Sequence, residues 1–175
     1  MDRMEASKKI TLAMIGLAAV ARVVPHPWNF WPVVAMALYC GARWTKLRTG
    51  IGITLAALLV SDAILGFYPG MLWYYIPSLI PVLFGWLVRR HENVGTIVAA
   101  GLASNLSFFA VSNFLVWATG TGATYPHTSA GLAACFTAAI PFYKNQLMGD
   151  AFYMVALFGG DALLRRWARP VLRTA

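Results

Sequence analysis

Long apolar runs separated by short polar connections make up most of the chain. A helix that crosses a bilayer needs about 20 mostly apolar residues, and most of the runs approach that length. Two runs, the second and the sixth, are shorter than the rest. The predicted helical runs cover residues 10–24, 31–42, 49–67, 71–88, 94–118, 130–142 and 147–164.

Prolines mark one boundary and one distortion in this pattern. Pro25 and Pro27 end the first run, because a proline disfavours helix at the residue before it. Pro77 and Pro81 fall inside the fourth run and predict a kink there. Such breaks are tolerated in membrane helices when neighbouring helices satisfy the freed carbonyl groups.

The composition identifies the solvent that the surface faces. The chain is 59% hydrophobic and 11% charged, whereas a soluble domain carries about 25% charged residues. So few charges cannot cover a surface in water, so most of it meets lipid. We therefore predict one integral membrane domain over residues 1–175, with room for roughly six crossings.

The net charge of +8 raises the possibility of a nucleic-acid partner, but its distribution excludes one. The basic residues lie at the ends of apolar runs, not along one polar face, which fits lipid headgroups and topology signals. The connections 25–30, 67–70 and 119–128 contain no Lys or Arg. The basic clusters are Arg3, Lys8 and Lys9; Arg43, Lys46 and Arg48; Arg89 and Arg90; and Arg165, Arg166, Arg169 and Arg173.

This alternation is the positive-inside pattern. It predicts a multi-pass membrane protein with both termini and the segments 43–48 and 89–93 in the cytoplasm. Five crossings leave the chain outside at Gly120, so the basic C-terminus allows only one more.

The run 130–142 is too short for that crossing, so we predict a short outer-side or re-entrant helix there and the sixth crossing over 147–164. The expected fold is all-α, a six-helix transmembrane bundle with a short extra outer-side helix. A seven-span arrangement would place Arg165 and Arg166 outside.

Charged residues inside the runs need a partner or a role. Arg22 and Asp62 lie at similar depth, and an ion pair between them would offset the desolvation cost of each. Such a pair is either structural or part of a ligand site. Asp150 is a second candidate partner for Arg22, and Asp161 is expected to pair with Arg165 one turn later.

Polar and aromatic residues concentrate on the predicted outer side. Tyr and Trp favour membrane interfaces in general, but the inner connections hold few aromatic residues. Asn105 and Asn113, about two helical turns apart, also lie near one face of their run. The candidate substrate-binding residues are His26, Asn29, Asp62, Tyr74, Tyr75, Asn113, Trp117, Tyr125, His127, Asn145 and Asp150.

The sequence contains no metal-ligand spacing, paired catalytic carboxylates or phosphate-binding glycine loop. We therefore expect neither an enzyme nor a bound metal or cofactor. The two cysteines, Cys40 and Cys135, lie in apolar stretches, where buried free thiols are expected.

Several strings of the sequence support a resemblance to a known group of proteins. RVVPHPWNFWPVVAMALYCGA, SDAILGFYPGMLWYY and YPHTSAGLAACFTAAIPFYKNQLMGD resemble a family of small uncharacterised bacterial membrane proteins labelled as transporters. That family is similar to the S components of energy-coupling-factor (ECF) vitamin transporters. S components are six-helix proteins that bind a micronutrient near the outer face, beneath loops that act as a lid.

This resemblance implies that the segment 125–145 supplies part of the lid. It also implies an ATPase module as an energising partner, although the first run lacks the strict Ala-x-x-x-Ala pattern on which S components often dock that module. Cobalamin is one candidate substrate, and His26 or Cys135 would be its only soft ligands.

We therefore expect a substrate-binding membrane component for uptake of a small micronutrient or vitamin-like molecule, in contact with membrane lipid. The resemblance implies that the membrane is the bacterial cytoplasmic (inner) membrane. Two other classes stay open from the sequence. One is a structural or assembly protein that binds a protein partner. The other is a membrane enzyme acting on a lipid or quinone, which would need an acid and a base such as His26 and Asp62.

Overall fold

The computed structural model describes the backbone of residues 3–171 and the side chains of residues 8–167. Within that range every regular element is helical, as predicted. Arg173 and the side chains of Arg3 and Arg169, which belong to the predicted basic clusters, lie outside the described part. The helices are α1 (Arg3–Val23), α2 (Val33–Arg43), α3 (Leu47–Leu65), α4 (Met71–Val88), α5 (Val94–Thr119), α6 (Ser129–Met154) and α7 (Gly160–Val171).

Among the described residues, four helical segments are long and apolar enough to cross a membrane. They are Leu47–Leu65, Met71–His91, Val94–Thr119 and Ser129–Trp167. Helix α2 is apolar but has only 11 residues, which corresponds to about 16 Å, or half of a bilayer's hydrocarbon core of about 30 Å.

Helix α2 lies at the centre of the structure. All its residues from Val33 to Ala42 are buried, and it contacts α1, α3, α4, α5 and α6. A helix that is apolar on every side is one that neighbours enclose completely. Helices α1, α3, α4, α5 and α6 therefore surround α2, and many of their large apolar side chains are exposed on the outside.

Two glycines allow α2 and α4 to pack backbone against backbone. A Cβ atom added to Gly41 would collide with the carbonyl group of Val82, and one added to Gly85 would collide with that of Leu38. Small residues at a helix crossing are the usual device for close packing in a membrane, where apolar side chains gain little by leaving lipid. This crossing fixes the position of α2 along α4.

The separate extra helix predicted over 130–142 is wrong. The run 130–142 and the run 147–164 belong to one continuous helix, which extends over Ser129–Trp167 for 39 residues, or about 58 Å. The polar residues between the runs do not break the helix, because Lys144 is exposed and the Asn145 side chain donates a hydrogen bond to another segment. A five-residue π-helical stretch, Val155–Gly159, joins α6 to α7.

Helices α5 and α6 form a hairpin that extends beyond the neighbouring helices. Tyr74, in the first turn of α4, packs against Phe108 of α5, with ring centroids 5.5 Å apart. From Phe108, α5 continues to Thr119, about 16 Å further. The run 130–142, predicted as a separate helix, is therefore the first half of α6, next to the tip of this hairpin.

The two ends of the bundle differ in chemistry. We call the end formed by the connections 24–32, 66–70 and 120–128 the aromatic end, and the opposite end, formed by the connections 44–46 and 89–93 and by α7, the basic end. Trp28 and Tyr68 are exposed at the first, and Lys46 and Arg90 at the second.

A network of charges ties the helices together at the basic end. The Arg43 guanidinium donates to Glu92, with Nη2 2.9 Å from Oε1, and its Nε lies 2.9 Å from Oδ2 of Asp161. Asp161 also accepts a hydrogen bond from Arg165 at 2.7 Å, which is the pair that the sequence predicted. Arg165 in turn donates to Thr11 of α1 at 2.8 Å.

We expect Gly85→Ala to destabilise the protein because the added Cβ forces α2 away from α4, an overpacking effect that costs about 1–3 kcal/mol. The matched control is Gly52→Ala, where a Cβ meets nothing within 4 Å. Alanine favours helix over glycine by up to about 1 kcal/mol, so the control should be neutral or stabilising. Thermal unfolding of the purified protein measures both, and equal midpoints for the two variants would contradict the close crossing.

Candidate functional site

A buried ion pair connects α1 to α3. Arg22 Nη2 lies 2.6 Å from Asp62 Oδ1, and both side chains are almost fully buried. The same guanidinium donates to the Ser61 hydroxyl and to the Leu58 carbonyl at 3.3 Å, while the Tyr75 hydroxyl donates to Asp62 Oδ2 at 2.6 Å. The charge pair proposed from the sequence is therefore present, and Tyr75 extends it to α4.

Aromatic rings cover this ion pair towards the aromatic end. The guanidinium carbon of Arg22 lies 5.7 Å from the ring centroid of Trp31 and 6.0 Å from that of Tyr74, within the range of a cation–π contact. The two rings pack against each other at 5.9 Å, and the His26 ring lies 5.7 Å from Trp31. These rings separate the buried charges from the space beyond.

That space is a cavity of about 80 Å³ at the N-terminal end of α2. It exists because α2 is short and begins below the first turn of α4, so no helix fills the centre of the bundle at this level. Its lining combines aromatic walls, amide side chains and one carboxylate. The lining residues are Asn29, Trp31, Val33, Val34, Tyr74, Phe108, Gln146 and Asp150.

The connection 24–32 forms one wall of the cavity and is held against α6. Asn29 adopts a left-handed backbone conformation with φ 59°, which asparagine tolerates better than most residues. The Asn145 side chain donates to the Trp28 carbonyl at 3.0 Å. At Gly149 a Cβ would lie 2.9 Å from the Cα of Phe30, so only glycine lets the connection approach this closely.

Asp150 is the one charged residue of the cavity lining. It is 3% exposed; its Oδ1 accepts from the backbone N–H of Ala35 at 3.3 Å and its Oδ2 from the Asn105 amide at 2.5 Å. Ala35 lies in the first turn of α2, where a carboxylate is favoured by the helix dipole. Asp150 therefore caps α2 and does not pair with Arg22, which is bonded to Asp62.

The structure divides the candidate substrate-binding residues into two groups. Asn29, Tyr74 and Asp150 line the cavity, Asp62 and Tyr75 lie behind its aromatic wall, and His26 packs on Trp31 of that wall. Sequence reasoning did not select the five further lining residues, Trp31, Val33, Val34, Phe108 and Gln146.

The second group lies at the hairpin tip or in the connections and does not contribute to the cavity lining. The Trp117 indole donates to the Pro126 carbonyl at 3.0 Å, and the ring of His127 packs on Trp117 at 5.6 Å. The Asn113 amide donates to the Phe109 carbonyl within its own helix at 2.7 Å. Tyr125 is half-buried in the connection. These contacts stabilise the α5–α6 hairpin, and Asn145 anchors the connection 24–32.

The described residues contain no group of three or more His, Cys, Asp or Glu side chains arranged to hold a metal ion. Cys40 and Cys135 are both free and buried. His26 Nδ1 lies 3.1 Å from the Pro27 carbonyl, so one ring nitrogen has a local partner.

The chain belongs to DUF6580, a family of unknown function, whose family model matches residues 3–172. It matched no curated protein and no solved structure. Membership of this family does not indicate a function, so the function of the chain is inferred from the site.

Removing one partner of the Arg22–Asp62 pair should be far more damaging than removing both. Arg22→Met or Asp62→Asn leaves a buried charge unpaired, which costs about 3–5 kcal/mol. The double variant Arg22→Met/Asp62→Leu leaves no unpaired charge and should recover part of that loss. Arg90→Met, at an exposed position, is the matched control. Unfolding midpoints measure all four, and a double variant less stable than both single ones would contradict the pairing.

Proposed function

We propose that this protein is a membrane component that binds a small micronutrient or vitamin-like molecule for uptake, in a six-helix bundle similar to the S components of ECF transporters. The observation that carries the proposal is the cavity above α2, which combines aromatic walls with polar groups inside a bundle of apolar helices. The cavity would be the substrate site, and the connection 24–32 together with the α5–α6 hairpin would form its cover.

The architecture around α2 supports this proposal. Protein interiors are normally packed as densely as organic crystals, so a polar space at the centre of a small bundle needs a reason. Here the space results from a helix of 11 residues where a crossing needs about 20. Binding sites in helical bundles are built in this way, from side chains that face the core.

The hydrogen-bonding groups of the lining indicate what kind of molecule would fit. Trp31 Nε1 and Gln146 Nε2 are buried donors without a hydrogen-bond partner among the described residues. Leaving such a group unsatisfied costs about 1–3 kcal/mol, which a ligand that accepts hydrogen bonds would recover. Asp150, one turn after Gln146 on α6, offers an acceptor. The substrate would therefore be a small polar molecule with acceptor and donor groups and a flat or apolar part for the rings.

The size of the cavity argues against cobalamin. A volume of about 80 Å³ lies below the roughly 300–1,000 Å³ of pockets that enclose drug-sized ligands. The cavity as it stands takes a molecule of only a few heavy atoms, a vitamin-sized substrate would need its cover to open, and a corrin is larger still. Neither suggested soft ligand is placed for it, because Cys135 and His26 are not part of the lining.

The two ends of the bundle support an orientation. The basic end would lie in the cytoplasm of a bacterial cell, following the positive-inside rule, and the cavity would face outwards. An ATPase module stays a proposed partner. Ala18, one of the residues nearest to the docking pattern of S components, is 3% exposed, so a module would need another surface of α1 or another helix.

The contacts of His26 and Asp62 weigh against the enzyme alternative. Asp62 is bonded to Arg22 and to Tyr75, and the His26 ring contacts Trp31 and the Pro27 carbonyl. A catalytic acid and base must both lie within hydrogen-bond distance of the reacting atoms of one substrate. Occupied by these other contacts, His26 and Asp62 do not form such a pair.

Protein purified from its native membrane should retain a small polar molecule, detectable by mass spectrometry of the extract. Gln146→Leu removes a donor of the cavity and should lower the retained amount about tenfold, since one hydrogen bond contributes roughly 1–1.5 kcal/mol. Trp73→Ala, at an exposed position of α4, is the control and should retain the wild-type amount. Equal retention by all three proteins, or none by the wild type, would contradict the proposal.

Single-cysteine labelling in intact cells tests the orientation. With Cys40 and Cys135 replaced by serine, Lys46→Cys should resist a membrane-impermeant maleimide, whereas Thr121→Cys should react, because the proposal places the two positions on opposite sides. Both positions are exposed in the structure, so burial does not confound the comparison. The reverse labelling pattern would place the cavity on the cytoplasmic side and exclude uptake from outside.

A further inference from the structure

A second and larger cavity runs as a groove between α5 and the α6–α7 helix. Its volume is about 370 Å³, within the range of roughly 300–1,000 Å³ that is typical of ligand sites. Each helix contributes one face, with residues spaced three and four apart as on a helical stripe. The lining residues are Val94, Ile97, Val98, Gly101, Leu102 and Asn105 of α5, and Leu147, Asp150, Ala151, Met154, Val155, Phe158 and Gly159 of the opposite helix.

The groove is apolar along its length and polar at one end. Asn105 and Asp150 are its only polar side chains, and they are bonded to each other. Asn105 is 1% exposed, and its Oδ1 has no hydrogen-bond partner among the described residues. A buried acceptor of this kind is costly unless a donor reaches it.

The carboxylate at this end of the groove has no cationic side chain beside it. Among the described side chains, no Lys, Arg or His lies within ion-pair distance of Asp150. Two neutral donors, the Ala35 N–H and the Asn105 amide, are its only hydrogen-bond partners there. A carboxylate and a free carbonyl oxygen thus lie side by side, and both favour a cationic donor.

The α6–α7 wall of the groove contains a stretch of irregular helix. The π-helical stretch Val155–Gly159 supplies three lining residues, Val155, Phe158 and Gly159. Such π-turns occur frequently at functional sites. A Cβ added at Gly159 would meet no atom within 4 Å, so this wall leaves room for an occupant.

We propose that the groove binds a single-chain amphiphile whose protonated amine contacts Asn105 and Asp150 and whose apolar chain extends towards Val94. The distance along α5 from Asn105 to Val94 is about 16 Å, which sets the length of the chain. The site is distinct from the small cavity above α2 and does not depend on the proposed uptake function, although Asp150 lines both.

The burial of the polar end distinguishes this ligand from an ordinary membrane lipid. Asn105 is 1% exposed and its side chain lies between α5 and α6, whereas phospholipid headgroups stay in contact with water. A chain of a bulk lipid would cover the apolar walls but leave Asn105 Oδ1 unsatisfied. An amine amphiphile satisfies it, and an anionic one is repelled by the Asp150 carboxylate.

The test compares three probes with the same twelve-carbon chain, dodecylamine, dodecanol and dodecanoate, with the full-length protein in phosphatidylcholine nanodiscs. Native mass spectrometry counts the molecules retained per chain. We expect one dodecylamine, with an occupancy at least tenfold above that of dodecanoate. Equal retention of the three probes would show nonspecific lipid-like filling and would overturn the proposal.

Variants locate the binding. Ala151→Phe and Val98→Trp fill the groove from opposite helices, and each should reduce dodecylamine binding at least tenfold, whereas Ala99→Phe, on an exposed part of α5 outside the groove, should not. Asn105→Leu should lower the preference for the amine over the alcohol. Unfolding midpoints verify that each variant is folded, and using two filling variants guards against the failure of one.

Gln146→Leu separates the two sites, since this residue lines only the cavity above α2. It should bind dodecylamine as the wild type does, even where it loses the small molecule of the proposed uptake function. Conversely, Val98→Trp should keep that small molecule. If Gln146→Leu abolished dodecylamine binding while Val98→Trp left it unchanged, the amine would bind above α2 and the groove proposal would be wrong.

Discussion

The structure depends on how the ends of one buried helix are satisfied. The first N–H groups and the last C=O groups of any helix lack partners within it, and the first turn of α2 is buried inside the bundle. Asp150 accepts from this turn. At the other end, next to the connection 44–46, Arg43 supplies a positive charge in the last turn, where the helix dipole favours it, and is itself bonded to Glu92 and Asp161. Without Asp150, the buried first turn of α2 would be costly.

The other buried carboxylates also connect helices to one another. Asp62, Asp150 and Asp161 are each at most 3% exposed, and each connects at least two helices. Asp62 joins α1, α3 and α4; Asp150 joins α2, α5 and α6; and Asp161 joins α2 to α7. Because apolar helices gain little from packing against each other in lipid, such directional contacts determine which helices are neighbours. The charges of this protein are few, and they specify its arrangement.

The sequence predicted the parts that depend on local pattern. The runs 49–67 and 71–88 agree closely with Leu47–Leu65 and Met71–Val88, because hydropathy and turn residues mark both ends. The Arg22–Asp62 pair was also predicted, from the opposite charges of the two residues and their similar depth in the membrane.

The continuity of α6 was not predicted. In the sequence, Lys144 and Asn145 resemble a polar connection between two helices. The structure shows that Lys144 is exposed and that Asn145 bonds to Trp28, so neither interrupts the helix. The cavity lining was predicted only in part. Trp31, Phe108 and Gln146 lie on different segments, and the way these segments pack side by side cannot be read from the pattern of any one of them.

The 39-residue helix over Ser129–Trp167 carries both Asp150 and Asp161, so the two ends of α2 are held by one continuous rod. A shift or rotation of that rod that withdraws Asp150 from the first turn of α2 also displaces Asp161 relative to Arg43. The contacts at the two ends of α2 are therefore coupled through one helix, and the π-helical stretch Val155–Gly159 lies between the two carboxylates.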